Sequence, residues 1–350
     1  MFEDLLPTWG GEEVVVRFDE PSATWMFVGV HSTVLGPGAG GTRMKTYAEP
    51  ADGLRDVLRL SSAMTSKMAM ASVPLGGGKA VLAVPEIPQG RARRELFLRY
   101  GDLVESLHGT YVTACDMNTG PPDMDVIGER SSSVLGRTEQ EGGSGTSAPD
   151  TAVGVFHGIR AAIGYSFGSD DLDGRTVAVQ GVGAVGDPLS RFLAEAGARL
   201  TLADVDDVRA KELAEELEAE VVSADRIAEV DCDVFSPCAT GGVLSANTIP
   251  SLRCRVIAGA ANNQLGEPAD AERLAERGIL YAPDYVVNAG GVIHLVGYEM
   301  LHETHVEVRS RLRGIGTTLG EVFARAEADG ISTGAAADEI VEERLAAGRA

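Results

Sequence analysis

Thr176-Val-Ala-Val-Gln180 runs straight into Gly181-Val182-Gly183-Ala184-Val185-Gly186, and the residues that follow, Asp187–Ala196, have helical composition. The valine- and alanine-rich pentapeptide reads as a buried strand, so the three glycines stand where a strand gives way to a helix. Each glycine then has a task. Gly181 permits the tight turn, Gly183 lets the backbone reach a pyrophosphate, and Gly186 allows close helix–strand contact. The phosphates would lie at the positive end of the helix. Eighteen residues beyond Gly186, at the end of the next predicted strand, stands Asp204. A carboxylate there accepts hydrogen bonds from the adenosine ribose hydroxyls and repels a 2′-phosphate, which favours NAD over NADP; Arg209 nearby weakens that preference. The alternative is a glycine-rich turn that holds no ligand.

Outward from this turn the pattern alternates regularly. Arg199–Ala203 reads as a strand, Val208–Ala219 as a helix, and further strands are expected at Asp233–Ser236, Val256–Ala258 and Ile279–Tyr281. Strands alternating with helices imply an α/β fold with a doubly wound parallel sheet, a Rossmann domain.

At 350 residues the chain exceeds the usual size of one core, and two domains are expected. Its 44% hydrophobic and 23% charged composition is that of a globular protein. A net charge of −22 argues against nucleic acid and anionic membrane surfaces as partners, though local lysines can still make a positive pocket. No basic, apolar leader opens the sequence and no run of eighteen apolar residues occurs, so a cytoplasmic location is expected. Cys115, Cys232, Cys238 and Cys254 lack paired CxxC spacing and read as reduced, buried thiols. No metal site is expected: His302 and His305 have HxxH spacing, but in a Glu- and Arg-rich helical context they read as a solvated face.

The first 130 residues mix strand-like runs, Glu13–Arg17 and Trp25–Val30, with helical stretches, Pro50–Met70 and Arg91–His108. Between Leu60 and Pro85 only Lys67 and Lys79 are charged, and Lys79 closes a Leu75-Gly-Gly-Gly-Lys79 turn. Desolvation makes a lysine useful as an acid, a base or a carboxylate anchor; the bland alternative is that both snorkel to solvent. Met64, Met68, Met70 and Val73 suggest a pocket wall or core around them. Glu141-Gly-Gly-Ser-Gly-Thr-Ser147 reads as a flexible hinge before a helix over Thr151–Ile163. The expected division is therefore 1–140 for substrate binding and catalysis and 141–325 for the dinucleotide, with a C-terminal helix over 326–350 packing back on the first domain.

Several ordered motifs resemble the glutamate/leucine/phenylalanine/valine dehydrogenases: Gly36-Pro-Gly-Ala-Gly-Gly-Thr-Arg43, Met64-Thr-Ser-Lys67, Pro74-Leu-Gly-Gly-Gly-Lys79, Thr113-Ala-Cys-Asp-Met-Asn-Thr119, the turn at 181–186, Ala258-Gly-Ala-Ala-Asn-Asn263 and Asn288-Ala-Gly-Gly291. The likeness covers nearly the whole chain and is strongest to the actinobacterial phenylalanine enzymes in Asn288-Ala-Gly-Gly-Val-Ile-His-Leu-Val-Gly297. It implies NAD-dependent, reversible oxidative deamination of an L-amino acid to the 2-oxo acid, NADH and ammonia, by a homo-oligomer. Lys67 would hold the substrate carboxylate, Lys79 would polarise the carbonyl and the attacking water, and Asp116 would shuttle protons. Ala39, Gly40, Gly41, Met64, Ala114, Val292 and Leu295 would build the rest of the substrate pocket. Thr151 would bind the nicotinamide carboxamide, with Ala239, Thr240 and Ala260 near its ribose. Asn262 would reach both substrate and ribose, with the adjacent Asn263 not separable from it. Asp116 could instead be a cap or turn residue and the asparagines could serve a turn. Arg43 reads as a structural ion-pair partner and stays outside the site.

The same resemblance bears on the substrate. Glutamate enzymes carry a lysine at the position of Ala39, so a side-chain carboxylate would be buried without a partner here. Ala39 leaves more room than the leucine of leucine enzymes. Ala114 resembles aliphatic-specific relatives and Leu295 aromatic-specific ones. These features favour L-phenylalanine with turnover of large aliphatic amino acids, leucine or valine being the second choice. A P-loop reading of Gly76-Gly-Gly-Lys79 fails because Ala80 follows the lysine. A non-catalytic NAD-binding sensor is the remaining alternative, and intact Lys67, Lys79 and Asp116 argue against it.

Overall fold

The computed structural model describes residues 2–349 and divides the chain into two compact units. The first comprises Met1–Thr146, Leu295–His302 and Glu343–Ala350; the second comprises Ser147–His294 and Glu303–Glu342.

The first unit runs α1 (Phe2–Trp9), β1 (Glu13–Asp19), β2 (Thr24–Ser32), β3 (Gly38–Lys45), α2 (Pro50–Ala71), β4 (Gly76–Ala83), α3 (Gly90–Glu105), β5 (Tyr111–Cys115) and α4 (Pro121–Gly128). Its five-stranded sheet has the order β1-β2-β4-β3-β5, with β3 parallel to both β4 and β5 and β2 antiparallel to β1 and β4. Two apolar layers enclose the sheet. Leu54, Val57 and Leu58 of α2 cover Phe27, Val81 and Ala83. On the other face Leu96, Phe97, Tyr100 and Leu103 of α3, with Met124 and Ile127 of α4, cover Met26, Val28, Met44 and Leu82.

The glycine run before Lys79 is not the turn expected from its composition. Gly76–Ala83 is the central strand, buried along its whole length. Glycine is a poor strand former in the open, but here its missing side chain is what permits pairing and helix packing. A Cβ on Gly76 would strike the Ser32 carbonyl, and one on Gly77 would strike Thr65 of α2. One on Gly78 would come within 2.8 Å of the Tyr111 ring.

The second unit runs α5 (Ala148–Phe167), β6 (Thr176–Gln180), α6 (Gly186–Glu195), β7 (Arg199–Ala203), α7 (Asp207–Leu217), β8 (Glu220–Val221), β9 (Asp231–Pro237), β10 (Arg253–Ile257), α8 (Asp270–Glu276), β11 (Leu280–Tyr281), α9 (Asp284–Val287), α10 (Gly290–Leu295), α11 (His305–Asp329) and α12 (Thr333–Gly348); the π turn (Val296–Met300) between α10 and α11 belongs to the first unit. All six strands are parallel in the order β11-β10-β9-β6-β7-β8. Strand order reverses between β6 and β9, so the crevice at their C-terminal ends is where such sheets bind ligands.

The division differs from the sequence expectation in three places. The boundary falls after Thr146 rather than at 140, residues 295–302 return to the first unit, and most of α12 groups with the second. Only the end of α12 belongs with the first unit, where Arg344 Nη1 donates to the carbonyls of Ala69 and Met70 at 3.0 and 3.2 Å. That guanidinium caps α2, whose last turn stops at Ser72 in a left-handed conformation (φ 51°). The expected flexible hinge is tied down: Glu299 of the π turn accepts from Gly136 N and Ser144 N, both at 2.8 Å. His302 lies ahead of α11 rather than on it, and Thr304 is the helix cap.

Candidate active site

Register across β5, β3 and β4 decides which side chains meet in the first unit. Gly41 is opposite Ala114, Ala39 is opposite both Val112 and Gly77, and Arg43 is opposite Val81. With the two-residue alternation of a strand, Ala39, Arg43, Lys79 and Ala114 share the sheet face covered by α2. Asp116 follows directly after β5, and a Cβ on Gly41 would come within 2.7 Å of the Asp116 Cβ. Gly40 lies against Gly78 and Met64. Lys67 follows Met64 by three residues on α2 and is half-buried.

The chemical centre is a triad of charges. Lys79, only 7% exposed, places Nζ 3.0 Å from Asp116 Oδ2. Lys79 therefore does not reach solvent as a snorkelling lysine would. Arg43 Nε donates to the same oxygen at 3.0 Å. Burial pushes the Lys79 pKa below the usual lysine range; Asp116 pulls it back up and Arg43 adds to the depression. For Asp116 burial favours the protonated form, but Lys79 and Arg43 outweigh it and hold the carboxyl below its ordinary value. The pair thus starts as a carboxylate beside an ammonium that gives up its proton more readily than a solvated lysine.

The turn that carries Asp116 is held from behind. Asp116 N donates to Thr119 Oγ1 at 2.9 Å, and that hydroxyl donates to Thr42 O at 2.8 Å. On the opposite face of the sheet, Tyr111 OH donates to Gly40 O at 2.7 Å, while Thr42, Tyr100 and Thr113 join their hydroxyls within 3.2 Å. Leu295 belongs to this unit as well: its Cδ2 and Cys115 Sγ both come close to Gly136, at 3.7 and 3.6 Å from a Cβ built there. Val292 lies on the part of α10 that belongs to the second unit.

In the second unit the glycine turn has the form a dinucleotide requires. Gly181 has φ +90°, and the backbone of Ala239 lies beside it. Gly186 lies against the Gly181 carbonyl, where a side chain has no room, whereas a Cβ on Gly183 would meet nothing within 4 Å. That open face is the one a pyrophosphate needs. Asp204 stands next to the turn, taking Val182 N on Oδ2 at 2.8 Å and Asp206 N on Oδ1 at 2.9 Å. Each oxygen keeps acceptor capacity for a ribose hydroxyl. These residues fit NAD. Thr151 lies in the first turn of α5, and its Oγ1 donates to Ser147 O at 2.9 Å; Gly290 and Gly291 pack directly on this turn. Their lack of side chains explains the Asn288-Ala-Gly-Gly291 motif. Asn288 Nδ2 reaches Asn262 Oδ1 at 3.0 Å and Ala260 O at 3.2 Å. Asn263 instead adopts a left-handed conformation (φ 53°), with its N–H on Asp284 Oδ2 at 2.7 Å. The two asparagines are therefore distinguished: Asn262 has the oriented side chain, and Asn263 makes the turn.

Sequence reasoning missed Arg43, set aside as a structural ion-pair partner. It is an ion-pair partner, but of Asp116. It also missed the buried His294–Asp150 pair, Nδ1 to Oδ2 at 2.8 Å, which fastens α10 to the start of α5. The signal for Arg43 was available: an arginine two residues beyond the Gly40-Gly41 pair, on the same strand face as Ala39.

Two family models match the chain: "Glu/Leu/Phe/Val dehydrogenase, dimerisation domain" over residues 19–133 and "Glutamate/Leucine/Phenylalanine/Valine dehydrogenase" over residues 201–345. A leucine dehydrogenase from Thermoactinomyces intermedius is 41% identical over 342 residues, 98% of this chain and 93% of that protein. A phenylalanine dehydrogenase from the same organism is 41% identical over 345 residues, again 98% and 93%. The crystal structure of an L-tryptophan dehydrogenase from Nostoc punctiforme matches with a TM-score of 0.87 at 37% identity, covering 100% of this chain and 99% of that one.

Proposed function

The chain belongs to the Glu/Leu/Phe/Val dehydrogenase family, and from that premise we propose that it deaminates large apolar L-amino acids oxidatively, with L-phenylalanine preferred over leucine and valine. It is an amino acid dehydrogenase and its cofactor is NAD. The observation that carries the mechanism is the buried Lys79–Asp116 pair beside Arg43. Lys67 anchors the substrate carboxylate as a point charge. Asp116, held ionised, takes a proton from the substrate ammonium and passes it on to solvent, and the hydride acceptor is the nicotinamide of NAD. Water then adds to the imine carbon with its proton passing to Asp116, while Lys79 hydrogen-bonds the developing oxygen. Asp116 returns that proton to nitrogen and then takes the carbinolamine hydroxyl proton as ammonia leaves, which yields the 2-oxo acid.

Substrate preference follows from the pocket wall. Relatives named for aliphatic and for aromatic substrates match at like identity, so the argument rests on individual residues. Ala39 removes the cation that a glutamate side chain would need and leaves space for a ring. Leu295 resembles aromatic-specific relatives, and Ala114 aliphatic-specific ones. The test is NADH formation with a panel of L-amino acids: kcat/KM highest for phenylalanine supports the reading, and a maximum at leucine or valine replaces it with the second choice. Within that panel, Ala114→Gly should raise the phenylalanine-to-leucine ratio of kcat/KM by roughly 3–30-fold, the discrimination worth of one methyl group. An unchanged ratio would remove Ala114 from the pocket.

Cofactor choice is testable separately. Asp204→Ala combined with Val205→Arg should move preference from NAD toward NADP, because the ribose acceptor is lost and a 2′-phosphate partner gained. Val205 is 94% exposed, so the arginine enters without disturbing the core. Equal use of both cofactors by the unaltered enzyme would show that Asp204 does not face the ribose. The same reading makes the protein a cytoplasmic homo-oligomer: the N-terminal family model is described as a dimerisation domain, and edge strand β1 exposes Val16 and Phe18.

A further inference from the structure

The second unit holds a cavity of about 390 Å³ away from its glycine turn. The walls come from the C-terminal ends of α5 and α11, from α8, from β10 and from the chain entering edge strand β11. Ile279, Phe323 and Ala326 give it an apolar, buried floor. Small-molecule sites span roughly 300–1,000 Å³ and combine such a floor with a few placed polar groups. Tyr165 on the rim follows Thr151 by 14 residues on α5. At the rise of an α-helix that is about 21 Å along the axis, so this cavity is not part of the dinucleotide crevice.

Two opposite charges line the cavity without pairing. Arg255 stacks its guanidinium over Phe167, 4.4 Å from the ring centroid, and its Nη2 donates to Ser166 O at 3.4 Å. Among the described residues no carboxylate pairs with it. Glu327 takes the Tyr165 hydroxyl on Oε2 at 2.6 Å, and among the described residues no cation pairs with it. Tyr165 is itself propped against Phe323, with ring centroids 5.3 Å apart. Each charge is therefore held in place by an aromatic neighbour rather than by a counter-ion, and both border the same apolar hollow.

We propose that this cavity is a second, non-catalytic site for an apolar α-amino acid in its zwitterionic form, with the carboxylate on Arg255, the ammonium on Glu327 and the side chain on Ile279, Phe323 and Ala326. A guanidinium offers a carboxylate two parallel donors, and Glu327 Oε1 keeps acceptor capacity for an ammonium. A simple apolar acid would satisfy Arg255 but meet Glu327 as a like charge. An apolar amine would meet Arg255 in the same way. A molecule that carries both charges on one carbon leaves neither side chain unpaired. The ligand class follows from the cavity and does not depend on which amino acid the enzyme turns over fastest. With Lys67 anchoring the substrate as given above, each chain holds the compound class it consumes at two places.

Equilibrium dialysis of the full-length protein against radiolabelled L-phenylalanine tests this by difference. Ala275 lines the cavity from the exposed side of α8, so Ala275→Trp fills the hollow without entering the core. That variant should bind one phenylalanine fewer per chain than the parent. Arg255→Gln should weaken the same class of site about tenfold or more, and Glu327→Gln about threefold or more. In all three, kcat and KM for deamination should stay within about twofold of the parent, which also reports that they fold. Phenylpyruvate, without the ammonium, and phenethylamine, without the carboxylate, should each compete for this class about tenfold more weakly than phenylalanine. Equal counts in the parent and Ala275→Trp, or phenylpyruvate competing as well as phenylalanine, would overturn the proposal. Failure of the catalytic reading looks different: a parent that deaminates no amino acid, or an unchanged KM in Lys67→Ala, leaves the difference between the parent and Ala275→Trp untouched.

Discussion

Lys79→Ala is expected to lower kcat by about 10³-fold or more while leaving the affinity for NAD within about twofold of the parent. The loss combines two effects of familiar size, removal of a proton-transfer partner and removal of a positive charge next to the developing oxygen. NAD affinity should survive because Lys79 lies in the first unit and the glycine turn with Asp204 in the second. The fold should survive too. Removing one member of a buried ion pair is ordinarily costly, but Arg43 stays 3.0 Å from Asp116 and continues to neutralise it. Stopped-flow turnover and NAD titration by nucleotide fluorescence measure the two quantities independently. A variant that keeps more than about a tenth of the parental kcat would take Lys79 out of the mechanism.

Gly40→Ala is expected to be among the most damaging single changes in the chain, on the order of 3 kcal/mol or more of stability. Its new methyl group would run into the Gly78 carbonyl in the adjoining strand and come within 3.2 Å of Met64 Cγ. Neither the strand backbone nor the helix behind it can yield, because β4 is central and paired on both sides. Gly314→Ala in α11 is the comparison: no atom lies within 4 Å of the added carbon, and alanine favours a helix over glycine by about 1 kcal/mol. The two substitutions should therefore move the urea midpoint in opposite directions. Equal midpoints for Gly40→Ala and the parent would mean that β3 and β4 are not as closely apposed as described.

The legible parts of the sequence were those governed by local periodicity. Thr176–Gln180 and Arg199–Ala203 were read with their observed bounds, because each is a short apolar run closed by turn residues. Strands β3, β4 and β5 were not anticipated. Two of them are built on glycines whose reason is a neighbour distant in sequence, such as Thr65 against Gly77 or Gly78 against Gly40, and no local pattern carries that information. The site divides in the same way. Lys79 stood out by its chemistry in an apolar stretch, and Asp116 by its place in a motif that resembles the family. Arg43 did not, since its importance comes from the two carboxylates it spans, 13 and 73 residues away. The return of Leu295–His302 to the first unit was likewise invisible, because it depends on one carboxylate, Glu299, accepting backbone N–H groups more than 150 residues upstream.

That return has a practical meaning for anyone recombining relatives to change what the enzyme accepts. The polypeptide passes between its two units at four places: after Thr146, His294, His302 and Glu342. A chimera joined only at Thr146 would bring Ala39, Lys67, Ala114 and Asp116 from one parent and Leu295 from the other. It would also set the Gly136–Ser144 loop of one parent against the Glu299 of the second. A graft that keeps the first unit whole therefore takes two segments, residues 1–146 and the eight-residue insert Leu295–His302, with the α12 end that carries Arg344 as a third where α2 differs.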